Sequence, residues 1–233
     1  MEPMTLLIVT CILFVGTHLL LSHPLRAPLA GRMGERPFQV VYSVVAIATL
    51  VMVVQAWRGM PPEPPLWAAG DGLWAFASLI VLFASILFMG SLVGNPALPA
   101  PGAAFAAQGA PRGVYAITRH PMMWGFALWA LAHALVMPTG AQMVLSATIA
   151  FLALVGAAGQ DVKKARLMGD AWRHWAARTS FVPFARQLSG MTPWGDTIPR
   201  PHALFGGIAV WLAATWAHGA LGYMAAGIWH WIG

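Results

Sequence analysis

Three histidines, His18, His133 and His218, sit inside long apolar runs that hold no Asp, Glu, Lys or Arg. An ionisable side chain in such a setting is costly and is a functional candidate by default. Neutral imidazole without a carboxylate beside it suits haem iron, which two axial histidines hold. Zinc is the poorer match, because no carboxylate or second shell accompanies the three rings. Around His133, Trp129 and Phe126 stand four and seven residues back, with the small Gly125 and Ala132 nearby. The last run carries Ala213, Ala214, Ala217, Gly219, Ala220 and Gly222, which suit tight helix packing or a planar cofactor. The competing reading of each histidine is a plain hydrogen bond to a neighbouring helix. A second candidate is Thr118-Arg119-His120-Pro121. Arg119 offers a planar fork, and the free N–H groups of a starting helix add positive potential. The chemistry would be binding an anion: a propionate, a phosphate, a lipid headgroup or a cofactor carboxylate. The competing reading there is charge anchoring at a membrane surface.

The elements that must position these residues follow from composition. The chain has 233 residues, 59% hydrophobic and 9% charged, with a mean hydropathy of +0.69. Soluble domains run near 45–50% apolar and about 25% charged, so a soluble globular protein is excluded. Long unbroken apolar runs replace the alternation of a transmembrane barrel. The expected class is an all-α polytopic membrane protein, a single domain over 1–233. Roughly 20 apolar residues cross a bilayer, and six segments qualify: Thr5–Ser22, Phe38–Trp57, Leu73–Val93, Pro121–Met137, Ala141–Gly159 and Leu204–Trp229. Pro138-Thr139-Gly140 is a tight turn, so the fourth and fifth spans form a hairpin. Every Lys and Arg except Arg58 falls in loops on one side of this arrangement. That side is then cytoplasmic and both termini face out, which fits a bacterial inner membrane. The net charge of +6 is thereby absorbed by topology and calls for no nucleic-acid partner; the expected partner is the lipid bilayer. With only Glu2 ahead of the first run, the N-terminus reads as a retained helix rather than a cleaved signal. Cys11 is the only cysteine, so no internal disulfide forms. Gln160–Pro183 reads as an amphipathic surface helix, with Asp161, Lys163, Lys164, Arg166 and Asp170 on a solvated face and Trp172 and Trp175 at the interface. The Ala-, Pro- and Gly-rich stretch Asn95–Gly109 reads as a flexible loop.

At about 1.5 Å per residue, His18 lies roughly 10 Å from the inner edge of a 30 Å core. The same rise puts His133 and His218 about 18 and 21 Å from it. All three therefore fall in the middle of the bilayer, and spacing alone does not name the ligand they would share.

Gly16-Thr17-His18, with Leu21-Ser22 and Pro24-Leu25-Arg26, resembles the first-helix signature of the NnrU family. Ile117 through Gly125, continuing to Trp129 and His133, resembles its central motif, and Asp161–Arg166 with Gly169, Arg178-Thr179-Ser180 and Pro183-Phe184 its third block. The resemblance covers nearly the whole chain. That family includes the 15-cis-zeta-carotene isomerases, so it implies a membrane protein binding haem b with axial ligands at His18 and His133. His218 resembles a further isomerase histidine. In the haem reading, Arg119, His120 and Arg26 would pair with the propionates at the inner face and Trp129 would line the cofactor. Where the isomerases carry a cysteine thought to switch onto the iron, this chain has Ala130, which argues against a ligand-switching isomerisation. The NnrU type is linked to denitrification, which implies redox or denitrification partner proteins and nitric oxide or a small apolar molecule as ligand. A weaker resemblance reaches the isoprenylcysteine methyltransferases, which bind S-adenosylmethionine near an Arg-His-Pro-x-Tyr motif; Met123 replaces that Tyr here. A structural assembly factor whose histidines only pack helices stands as the non-enzymatic alternative.

Overall fold

A computed structural model describes residues 1–98 and 102–232. Among them every regular element is helical: α1 Pro3–Ser22, α2 Arg26–Met33, α3 Glu35–Arg58, α4 Asp71–Gly90, α5 Ala103–Ala106, α6 Val114–Ile117, α7 Pro121–Val136, α8 Gly140–Met168, α9 Asp170–Arg178, α10 Ala185–Leu188, a 3₁₀ turn Trp194–Thr197, α11 Pro201–Ala220 and α12 Trp229–Ile232. Five of these, α1, α3, α4, α8 and α11, are long and apolar enough to cross a membrane. The expected fourth span is α7, equally apolar but only 16 residues long. Its length is set at both ends. Pro121 occupies the first turn, where its missing N–H costs nothing, and Pro138 stops the helix on the other side.

The helices pack in a row of neighbours: α3 on α1, α1 on α8, α8 on α7, α7 on α4 and α4 on α11. The α7–α8 hairpin expected from Pro138-Thr139-Gly140 is present. Thr139 accepts the Gln142 N–H and caps α8, while Glu63 accepts the Ala141 N–H at 2.9 Å. Small residues let α4 hold two partners. A Cβ on Gly207 of α11 would lie 2.7 Å from the Ile86 Cα, and one on Gly125 of α7 would lie 3.0 Å from the Ala84 carbonyl oxygen. Such close backbone approach replaces the hydrophobic drive that is missing between helices in lipid. On α3 the outward side chains Val40, Val44, Ile47 and Val51 are all at least half exposed. Their three- and four-residue spacing makes one continuous apolar ridge, as a lipid-facing helix requires.

Three expectations change. The last span ends at Ala220 rather than Trp229, because Gly222 turns the chain with φ +81° and the Tyr223 N–H donates to His218 O at 2.8 Å. The chain then folds back along α11, where the Trp229 Nε1–H donates to Leu212 O, and His230 stacks on Trp74. The amphipathic stretch divides at Gly169 (φ +54°), its first part continuing α8 and its second forming α9. Trp172 and Trp175 are not interfacial; each is only 2% exposed, packed with Ala97, Ala107, Tyr115 and Met168. Lys164, expected on a solvated face, is buried and donates to Leu98 O at 2.9 Å. Asn95–Gly109 includes residues 99–101, which lie outside the described residues; in the remainder Asn95, Ala97 and Ala107 are buried.

Candidate functional site

The two places marked by the sequence lie at opposite ends of α7. At its start, Thr118 is extended (φ −156°, ψ 151°) and is strapped by the segment that follows α9. Arg119 N–H donates to Ser180 O at 2.9 Å, Thr118 Oγ1 to Phe181 O at 2.6 Å, and the Phe184 N–H to Ile117 O at 2.9 Å. Trp124 Nε1 donates to Phe181 O at 2.8 Å. The Arg119 side chain turns toward α8, where Asp161 takes it in a fork. Nε lies 3.0 and 2.9 Å from the two carboxylate oxygens and Nη2 lies 2.5 Å from Oδ2. His120 Nε2 lies 2.7 Å from the Asp161 Oδ1. A carboxylate only accepts, so Nε2 carries a proton and donates it to Asp161. Nδ1 has no partner among the described residues, and the ring is 1% exposed.

Asp161 stands beyond the apolar stretch of α8. Burial opposes its charge, but the hydrogen bonds from His120 and Arg119 outweigh it and hold the carboxyl below the usual range. The anion expected at the Arg119 fork is therefore supplied by the chain itself. Arg26 is likewise engaged, paired with Glu35 and lying over the Phe38 ring. Periodicity alone places Asp161 on a solvated helix face. It lies 42 residues along the chain from Arg119, and no local spacing could have paired them.

Near the other end of α7, His133 and His218 are together, their ring centroids 6.1 Å apart. Trp129 lies against His133 at 3.9 Å. Each histidine is locked in the same way. His133 Nδ1 is 2.8 Å from Trp129 O and His218 Nδ1 is 2.8 Å from Ala214 O, one helical turn back in both cases. A carbonyl only accepts, so Nδ1 is the donor and Nε2 is left with a free lone pair. This is the tautomer a metal-binding imidazole needs, with the carbonyl as its outer support.

His18 shares that lock, its Nδ1 2.9 Å from Phe14 O, but not the location. It packs against Phe14 and against Tyr42 of α3. Register explains the separation. α1 and α8 run side by side, with Met4 at Gly140 and His23 over Gly159, which sets His18 level with Leu154. α7 runs the other way, with Arg119 and His120 at Asp161, so that level falls between Phe126 and Ala127. His133 is a further two turns or so along, about 10 Å on the axis. Among the described residues no three His, Cys, Asp or Glu side chains converge as a metal cluster.

A model of the family described as "NnrU protein" matches residues 6–226. The 15-cis-zeta-carotene isomerase of Arabidopsis thaliana, a chloroplastic protein, is 30% identical over 174 residues, covering 68% of this chain and 44% of its own length. The Zea mays protein of the same name is 35% identical over 78 residues, covering 34% of this chain and 21% of its own length. The chain thus aligns with less than half the length of either relative. No solved structure matches.

Proposed function

The chain belongs to the NnrU family, and from that premise we propose that it is an integral membrane protein holding haem b on histidines buried among its apolar helices. The observation that carries this reading is the shared lock of the imidazoles. Three rings on three apolar helices each give Nδ1–H to a backbone carbonyl and keep Nε2 free. The donor set fits the group, because two neutral imidazoles suffice for haem iron. His133 would hold the iron together with a second intramembrane histidine, which the family resemblance puts at His18. Haem b supplies one-electron chemistry or binding of a small ligand at iron. The residues of this chain fix the imidazole tautomers, exclude water with apolar helices, and place Trp129 along the flank of His133. Arg119 and His120 act as a clamp on Asp161 rather than as propionate partners. Arg119 is fourteen residues from His133, about 21 Å along α7, beyond the half-width of a porphyrin.

Within the haem reading the first activity is electron transfer or nitric oxide handling linked to denitrification, as in the NnrU type. The protein would sit as a six-span bundle in a bacterial inner membrane, with the Arg119 end in the cytoplasm. The second is cis–trans isomerisation of a polyene, favoured by the name of both curated relatives. Ala130, fully buried where the isomerases are expected to carry cysteine, weighs toward the first.

The test is an absorption spectrum of the purified protein after haem-replete expression. A Soret band with sharp reduced α and β bands is expected, and its absence removes the proposal. Incubation with 15-cis-zeta-carotene and analysis of the isomers separates the two activities. Turnover selects the isomerase; a nitric oxide adduct without turnover selects the other.

A further inference from the structure

Where α1, α2 and α8 meet at the Arg119 end of the bundle, the fold leaves positive charge unbalanced. Every carboxylate at that end is already engaged: Glu35 by Arg26, Asp161 by Arg119 and His120, Asp170 by Arg173 and Asp196 by Arg112. The other three acidic residues lie at the opposite end. Glu2 precedes α1, Glu63 holds the start of α8 and Asp71 opens α4. His23 closes α1 with its ring against Gly159 of α8, where a Cβ would lie 2.4 Å from Nε2. Lys163 stands one turn beyond Gly159 on the same helix face, past the apolar stretch of α8. It makes no hydrogen bond or ion pair among the described residues. Burial, and then the Arg26 charge, push its pKa down, and Glu35 only partly offsets them. Lys164 is buried and gives one N–H to Leu98 O. Burial, then Lys163 and Arg26, push it down as well. Like charges held partly out of water are costly unless an anion joins them. The surroundings say which anion. Exposed Phe151, Val155 and Val162 run along α8 to the level of Lys163, and exposed Leu25 and Met33 flank α2. Cations at the rim of an apolar ridge match a headgroup whose phosphate sits above acyl chains.

We propose that Lys163 and Arg26, with the added charge of Lys164, bind the phosphate of an anionic phospholipid whose acyl chains lie along Phe151, Val155 and Val162. This site does not depend on the haem reading.

The experiment uses the full chain in detergent with dioleoylphosphatidylglycerol, dioleoylphosphatidylcholine or inorganic phosphate as probe. Bound lipid is read by native mass spectrometry and stability by the thermal midpoint. Phosphatidylglycerol should stay bound and raise the midpoint; phosphatidylcholine and inorganic phosphate should not. Lys163→Met keeps the apolar stem and removes the charge. It should weaken phosphatidylglycerol binding about tenfold, the worth of one charged hydrogen bond. Without added lipid its midpoint should equal or exceed that of the wild type, because a cation with no counter-charge is gone. Arg166→Gln, at an exposed position of the same helix, should change binding less than about twofold, since a screened surface charge contributes little. Equal weakening by the two variants overturns the site in favour of diffuse attraction. Equal binding of phosphatidylcholine overturns the selection for an anionic lipid, and equal stabilisation by inorganic phosphate hands the cations to a soluble anion. A midpoint of Lys163→Met below the wild type without lipid makes the lysine a support of the fold and also overturns the proposal.

Discussion

The two ends of α7 carry similar residue types and opposite chemistry. At the start, Arg119 and His120 both donate to Asp161, and His120 is covered by Trp172 and Phe181. At the other end, His133 and His218 lie with ring centroids 6.1 Å apart, each giving its Nδ1–H to its own helix. A charge that has found its counter-charge inside the fold is holding helices together. A lone pair kept free by its own helix is held ready for something else. The most charged cluster of the molecule is thus a clamp, and the least charged pair is the better site.

The largest effect should come from breaking the clamp. Asp161→Asn leaves Arg119, 16% exposed, without its counter-charge, and loss of one partner of a buried pair costs about 3–5 kcal/mol. The thermal midpoint in detergent should fall sharply while the folded fraction keeps the wild-type haem spectrum. A changed spectrum at unchanged stability would move the cluster into the haem site. Acid reaches the same bond. The folded carboxyl titrates below its unfolded value of about 3.9, so its contribution is complete above that value and is lost as pH falls through the folded one. The stability gap between wild type and Asp161→Asn should therefore close only below about pH 4. A gap already closing at pH 6 would mean another group holds Arg119.

A smaller effect links the two ends through α4. Gly207→Ala puts a methyl against the Ile86 backbone, and overpacking of this kind costs about 1–3 kcal/mol. Because α11 carries His218, the low-spin haem fraction should fall along with the thermal midpoint. A lower midpoint with the low-spin fraction intact would show that the pair does not depend on the α4–α11 contact.

The long helices and the tight hairpin were legible because apolar length and a Pro-Thr-Gly turn are local signals. The cluster around Asp161 was not. The helix face Asp161, Lys163, Lys164, Arg166 reads as solvated by periodicity; Arg166 is exposed, but the start of α7 covers Asp161 and Lys164 is buried against Leu98 O. The end of the last helix was hidden for the opposite reason. Leu221 to Trp229 stays apolar, so hydropathy runs on where Gly222 and Gly227 turn the chain back. For the histidines, depth alone put three in the middle of the bilayer, but it carries no lateral information. Helix order around the bundle separates His18 from the other two, and that order is tertiary.

The smallest effect is the most discriminating, because its size depends on the ligand. In the haem-free protein His218 makes one side-chain hydrogen bond, to a carbonyl of its own helix, worth about 1 kcal/mol at most. Against this, its free acceptor beside that of His133 is a cost, and alanine is the better helix former. His218→Ala should then change the stability of the haem-free protein by no more than about 1 kcal/mol, in either direction. If His218 holds the haem, the same substitution should destabilise the haem-bound protein clearly, because the linkage stabilisation from a ligand held only by the folded state is weakened. Thermal midpoints of both proteins, with and without haemin, give the four numbers needed. If His218→Ala costs the haem-free protein as much as Asp161→Asn does, the pair is packing, and the two ends of α7 do not differ in kind.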